Sequence, residues 1–336
     1  TVSITVLSKN IHNREFFMQE TIPYYPYSEY LKTKYGEKVY KLPVNLPVTC
    51  PNRRNGRGCA FCAESGTGFE AMESSVPVKE QLLTAKARIA KRYHAYKYIA
   101  YFQNYTNTYL PLEDFRQYLL EAAETEDIVE IAVSTRPDCI SADYLDVLDE
   151  IRRAYGISVT LELGLQTVNY HTLLAVSRGH TLAEFLDAVQ MIRPYGFDLC
   201  THVILNLPGD HLTDAVETAK ILSVLRVNIV KVHSLYIAKN TRLCEEYENG
   251  TIALCSKEEY FRRVIAFLEY LSPDIAVERL FSRIPEKDSV FCNWGASWWK
   301  LRDELLDIMT REGLRQGSRF DYLGGAALKE EVFIGG

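Results

Sequence analysis

The feature that most restricts the fold of this 336-residue chain is an alternation that begins near Lys38. Short runs rich in β-branched and aromatic residues, at 38–46, 97–103, 128–135, 157–165, 197–207 and 228–237, take turns with helical segments at 78–93, 112–125, 142–154, 182–192 and 213–225. Helix signals agree with these positions. Ser141 precedes one helix, Pro111 opens another, Thr181 with Glu184 has the capping-box pattern, and Gly156 and Gly196 follow two more. Strands joined by helical crossovers pair in parallel, so six in succession predict one barrel-like or doubly wound α/β domain. Val203-Ile204-Leu205 reads as a strand of a covered sheet. In a β/α barrel chemistry gathers at the C-terminal strand ends. Here those ends carry Gln103-Asn104, Ser134-Thr135-Arg136, Glu162, Gln166 and His233.

Composition narrows the class further. With 47% hydrophobic and 24% charged residues the chain is neither disordered nor fibrous, and a net charge of −6 argues against a surface that wraps nucleic acid as a whole while leaving room for a local basic patch. The apolar runs are far shorter than the roughly 18 residues of a membrane span. Residues 1–14 lack the pattern of a secretory signal, so a cytoplasmic chain is expected.

Three of the eight cysteines are bunched. Cys50, Cys59 and Cys62 follow the first strand with spacing C-x8-C-x2-C, while Cys139, Cys200, Cys244, Cys255 and Cys292 stand alone. Bunched thiols without an export signal read as a metal site rather than a disulfide framework. Gly56 and Gly58 let the loop curl, and nearby arginines offset thiolate charge. Three readings stand at this point: an iron–sulfur cluster with one open iron, a zinc site lacking its fourth ligand (His94 being the next candidate), or unliganded core thiols. Phe61, directly before the third cysteine, favours the first.

This loop, placed after the first strand of such an alternation, resembles the radical S-adenosylmethionine (SAM) superfamily. The rest resembles its YhcC/YtqA-type branch, related to the Elp3-like enzymes. The resemblance is carried by Thr49-Cys-Pro-Asn-Arg, Tyr101-Phe-Gln-Asn-Tyr-Thr-Asn-Thr, Thr135-Arg-Pro-Asp-Cys, Glu162-Leu-Gly-Leu-Gln-Thr, Arg178-Gly-His and His202-Val-Ile-Leu-Asn-Leu-Pro-Gly-Asp. It implies an incomplete parallel (β/α)6 barrel of TIM type with a C-terminal extension: an N-terminal extension at 1–37, the barrel at 38–240, and a segment at 241–336 that closes the barrel and shapes the substrate site.

By the same resemblance, Cys50, Cys59 and Cys62 hold a [4Fe–4S] cluster whose open iron is chelated by SAM. An external one-electron donor then drives cleavage of SAM to a 5′-deoxyadenosyl radical. Phe61 joins the cofactor site. Gln103-Asn104 either receive the SAM amino group or cap a strand end. Glu162 is expected to accept from the ribose hydroxyls, with Gln166 alongside. Ser134 closes the third strand beside Arg136, which either grips the SAM carboxylate or pairs with Asp138. Leu205 and Asn206 lie along the adenine. His202 and His233 are catalytic candidates or satisfied core histidines; Cys292 is a substrate-facing thiol or a buried one.

For the substrate, relatives imply tRNA, with remodelling of a wobble-uridine side chain. A small metabolite or peptide is the alternative, and a metal-containing module that binds RNA without catalysis is a third. Lys86, Arg88, Lys91, Arg92, His94 and Lys97 form either a phosphate-binding patch or a solvated helix face. The tyrosines at 24, 25, 27 and 30 either stack bases or pack across the barrel.

Overall fold

The computed structural model describes residues 22–54, 56, 58–63 and 71–328. The stretch read for an export signal, 1–14, and Asn55 and Arg57 of the cysteine loop lie outside the described residues.

Strands β1 (Val39–Val44), β2 (Lys97–Phe102), β3 (Ile128–Thr135), β4 (Ser158–Gln166), β5 (Asp198–Ile204) and β6 (Ile229–His233) pair in chain order, all parallel. The tail of the sixth predicted strand separates as β7 (Tyr236–Ala238). The sheet is then completed by β8 (Ala276–Arg279), which pairs with β6 in parallel, so it has seven strands rather than the six read from the sequence. β7 pairs antiparallel with β9 (Ser289–Cys292). The sheet curls: Lys41 on its first strand lies 2.7 Å from Glu278 on its last, a contact a flat seven-stranded sheet could not make.

Helices α1 (Tyr27–Tyr35), α2 (Pro51–Arg54), α3 (Val78–Tyr93), α4 (Leu112–Ala123), α5 (Ala142–Tyr155), α6 (Tyr170–Ala175), α7 (Leu182–Ile192), α8 (Leu212–Val224), α9 (Arg242–Glu248), α10 (Lys257–Tyr270) and α11 (Trp298–Glu312) complete the order. The main core joins apolar residues of the strands and helices, among them Val133, Leu163, Val203, Phe115, Leu148, Phe185 and Phe267. The Thr181–Glu184 capping box forms at α7, and Gly156 and Gly196 take left-handed conformations at helix ends.

Helix α1 fills the N-terminal end of the barrel. Tyr27 and Leu31 pack with Val39, Ile99, Ala132, Cys200, Ile229 and Ala276, and the Tyr30 hydroxyl donates to Asp198 at 2.6 Å. The tyrosine-rich stretch is therefore packing, and its rings are spoken for by the barrel floor rather than by bases. The basic segment also belongs to this end, because α3 runs back against the strands: Lys97 pairs with Glu37 at 3.0 Å and Lys86 with Asp127 at 2.7 Å. The cysteine loop leaves the opposite end, after β1, so His94 at the end of α3 is out of its reach.

Candidate active site

The three clustered cysteines line one cavity of about 130 Å³ at the C-terminal strand ends, together with Phe61, Gln103, Ser134, Arg136, Glu162, Gln166 and His202. Local sequence explains how the loop closes. Cys50 leads into α2, Gly58 turns at φ +79°, and an added Cβ there would sit 3.0 Å from Arg53 Cγ. Gly56 takes no left-handed turn. Arg53 ties the loop by donating to the carbonyls of Cys62 (2.8 Å) and Ala63. Ala60 is pinned on both sides, its N–H to Val176 O and its carbonyl to Leu243 N–H, each at 2.9 Å.

All three thiols are free. Their Sγ atoms do not all lie within 4.8 Å of one another. A tetrahedral zinc would hold its sulfurs about 3.8 Å apart, so the trio is spread for something larger than a single ion, and a four-iron cube suits it. Positive charge surrounds the sulfurs. Arg178 Nη1 lies 3.5 Å from Cys59 Sγ, Asn52 Nδ2 lies 3.4 Å from the same sulfur, and Arg136 Nη1 lies 3.9 Å from Cys50 Sγ. N–H groups aimed at thiolates offset their charge and tune a cluster's potential.

A second segment supports the loop from below. Arg178 also donates to Gly164 O at 2.8 Å, and Asn52 donates to Ser177 O at 2.7 Å. Gly179, at φ +79°, has no room for a side chain: a Cβ would lie 2.6 Å from Asn52 Oδ1 and 3.1 Å from Arg136 Nη2. Burial and the neighbouring Arg178 push His180 down to about 4, so its ring is neutral, and it lies 3.1 Å from Gly164 O through Nε2.

Beneath the cavity lies a polar chain. Glu162 is buried in the middle of β4, not at its end, and its carboxylate accepts from Lys41 (2.5 Å), Tyr101 (2.7 Å), His202 (2.7 Å) and Lys231 (3.3 Å). Burial would raise its pKa, but Lys231 and Lys41 outweigh that and hold it well below the usual carboxylate range. An ionised carboxylate only accepts, which fixes the histidine tautomers. His202 donates through Nε2, His233 Nε2 donates to His202 Nδ1 at 3.3 Å, and Ser282 donates to His233 Nδ1 at 3.3 Å. Burial keeps both rings below the usual histidine range; at His202 Glu162 opposes it, while at His233 the neighbouring His202 adds to it.

The candidate residues divide. Phe61, Gln103, Gln166 and His202 border both the cysteine cavity and a second one of about 110 Å³, which His233 also lines. Ser134 faces the first and donates to the Tyr101 hydroxyl at 3.2 Å. Arg136 faces the first as well, but its fork is engaged with Asp138 at 2.8 and 2.7 Å and with Arg178 O at 2.8 Å. Asn104, Leu205 and Asn206 line neither cavity. Asn104 donates to Asn45 Oδ1, Leu205 packs in the main core, and Asn206 Oδ1 accepts from Leu235 N–H at 2.6 Å. Sequence reading assigned no role to Asn52, Thr106, Arg178, Tyr236 or Arg279. The first three stood in quoted motifs; the other two did not.

Residues 44–222 match the pattern described as the radical SAM superfamily, and 227–311 match the radical SAM C-terminal domain. The chain belongs to the radical SAM superfamily. The protein MJ0486 of Methanocaldococcus jannaschii is 33% identical over 297 residues, 88% of this chain and 91% of that one. YtqA of Bacillus subtilis is 32% identical over 304 residues, 89% and 94%. A tRNA uridine(34) acetyltransferase of Methanocaldococcus infernus is 23% identical over 192 residues, 56% of this chain and 34% of that protein. Among solved structures, Methanocaldococcus infernus Elp3 with an N-terminal deletion of residues 1–46 superposes with a TM-score of 0.64 at 18% identity, covering 83% of this chain and 64% of that one, less than two thirds. That likeness is one of fold.

Radical SAM enzymes use a [4Fe–4S] cluster and SAM, and the donor set here fits both. Three spread thiols leave one iron for the ligand, and the buried Thr106 Oγ1 beside them has no hydrogen-bond partner. The zinc reading and the passive binding module are set aside with the family assignment: the chain is an enzyme. Among the described residues no helix is long and apolar enough to cross a membrane.

Proposed function

We propose that this enzyme abstracts hydrogen from a nucleoside of tRNA, with the reacting group held in the second cavity and an external donor supplying the electron. The observation that carries the reading is the common wall. Phe61, Cys62, Gln103, Gln166 and His202 border both cavities, so groups held on either side are neighbours. When bound, the cluster and SAM supply a 5′-deoxyadenosyl radical.

The chain's own residues hold and shield. Cys50, Cys59 and Cys62 hold the cluster; Arg178 and Asn52 steady Cys59. The amides of Gln103 and Gln166 offer acceptors and donors to SAM. His202 and His233, their protons fixed by the chain that starts at Glu162, present a polar wall to the second cavity. The distant likeness to tRNA uridine(34) acetyltransferases supports the nucleoside. Free thiols and the cluster suit a reducing cytoplasm.

One observation favours the second reading, a small metabolite: the basic segment of α3 is at the far end of the barrel from the cysteines. Two measurements test both. Anaerobic reconstitution with a strong reductant yields 5′-deoxyadenosine; iron loading without it overturns the activity. Nucleoside profiles of tRNA from cells with and without the gene differ at one modified uridine; identical profiles move the substrate to a metabolite.

A further inference from the structure

We propose that Arg279 is an oxyanion-binding residue of the second cavity, gripping a phosphate or carboxylate on the substrate. The proposal rests on the reading of that cavity as the substrate's.

Its geometry begins with a slip in register. Val230 is opposite Val277, but Lys231 is opposite Arg279, so the β6–β8 ladder skips Glu278. A bulge of this kind lets two consecutive residues reach the same side. Glu278 turns inward to Lys41 at 2.7 Å and Lys231 at 2.9 Å, and Arg279 lines the cavity one step nearer the mouth. Without the slip, strand alternation would send one of the pair into the helix layer.

The carboxylate next to Arg279 along the chain, Glu278, acts on it electrostatically but is already held by Lys41 and Lys231. Among the described residues Arg279 has no hydrogen-bond or ion-pair partner, although it is half-buried. No Asp or Glu lines the cavity. Lys231, the other buried cation there, is already shared by Glu162 and Glu278. Arg283 adds positive charge at the rim, its guanidinium 3.8 Å from the Trp298 ring centroid. A guanidinium presents its donors in a fork that fits two oxygens of a phosphate or carboxylate. Withdrawing one from water with only a counter-charge shared by two lysines is unfavourable, and a bound oxyanion reduces that cost. SAM also carries a carboxylate, but Arg279 does not border the cysteine cavity.

The test is calorimetric titration of the reconstituted holoprotein with two matched pairs: uridine 5′-monophosphate against uridine, and succinate against succinamide. The wild-type protein prefers the charged member of at least one pair by roughly tenfold or more. A phosphate preference identifies a nucleotide as the source; a carboxylate preference identifies a free metabolite. Arg279→Gln abolishes the preference and Arg279→Lys keeps part of it. Absence of preference in both pairs overturns the proposal without any variant. So does an Arg279→Gln protein that keeps the preference and loses SAM affinity instead. A wild-type protein that prefers the anion but makes no 5′-deoxyadenosine would sink the proposed activity and leave the role of Arg279 standing.

Discussion

Glu162 of β4 and Glu278 of β8 are bound by the same two ammonium groups. Lys41 Nζ lies 2.5 Å from one and 2.7 Å from the other; Lys231 Nζ lies 3.3 and 2.9 Å away. Two carboxylates and two lysines from four strands thus close a ring inside the barrel, where a hydrophobic layer would be usual. It ties the last strand of the sheet to the first across the interior, and it sets the floor on which His202 stands.

The ring predicts acid sensitivity with a defined sign. Burial would raise the Glu278 pKa, but Lys231 and Lys41 prevail and hold it at about 2, against 4.5 for the free side chain; Glu162 is also held low. A carboxyl depressed in the folded state stabilises above its unfolded value and loses that stabilisation as pH falls through the folded one. Urea midpoints should therefore be level near neutrality and fall between about pH 4.5 and pH 2. Glu278→Gln should cost about 3–5 kcal/mol at pH 7, because it leaves buried ammonium charge short of a partner. A variant as stable as the parent at pH 7 would show that the ring is not what joins β8 to the sheet.

The cysteine assignment separates three thiols from the other five. Alanine at Cys50, Cys59 or Cys62 should remove cluster iron and all 5′-deoxyadenosine formation, since two thiolates hold a four-iron cluster poorly. Alanine at Cys255, which packs against the main core away from the cavity, should keep both. Iron analysis and visible absorbance after anaerobic reconstitution decide it; a Cys59→Ala protein with full iron would refute the ligand set.

Arg178 should act on the cluster's potential. Its Nη1 is 3.5 Å from Cys59 Sγ, and removing a positive donor from a ligating thiolate disfavours the reduced, more negative cluster. Arg178→Met is expected to shift the midpoint to more negative values by on the order of 60 mV, the equivalent of about 1.4 kcal/mol for one electron. An unchanged midpoint in a redox titration followed by electron paramagnetic resonance would reduce Arg178 to a brace for Gly164.

How much of this was legible in the sequence follows from the range of the forces involved. Helices Val78–Tyr93 and Leu182–Ile192 and strand Ile128–Thr135 match their predicted bounds, because periodicity and caps are local signals. The cysteine loop was legible for the same reason. The seventh strand was not: Ala276–Arg279 is four residues long, and it is defined by its pairing with β6 and by the ion pairs of Glu278 with Lys41 and Lys231. Glu162 illustrates the same limit within the site. Its strand was read correctly but its place was not, since it sits at the middle of β4 and not at the end, and its four partners come from β1, β2, β5 and β6, so its saturation depends on contacts that no spacing encodes. Arg279 depends on a bulge, which leaves no pattern in a strand this short.

Asn206 gives a test that separates a structural residue from a cofactor ligand. It is buried, and its Oδ1 accepts from Leu235 N–H at 2.6 Å, tying the end of β5 to the segment that follows β6, while its Nδ2 has no partner. Asn206→Ala removes the acceptor and strands the Leu235 N–H, which should cost about 1–3 kcal/mol. Because Leu235 lines the second cavity and Asn206 lines neither, the damage should appear as lower stability and looser substrate binding, with SAM affinity little changed. Asn206→Asp restores the acceptor and should recover most of the stability if its carboxylate accepts the same N–H. A Asn206→Ala protein of normal stability that binds SAM tenfold more weakly would instead return Asn206 to the adenine.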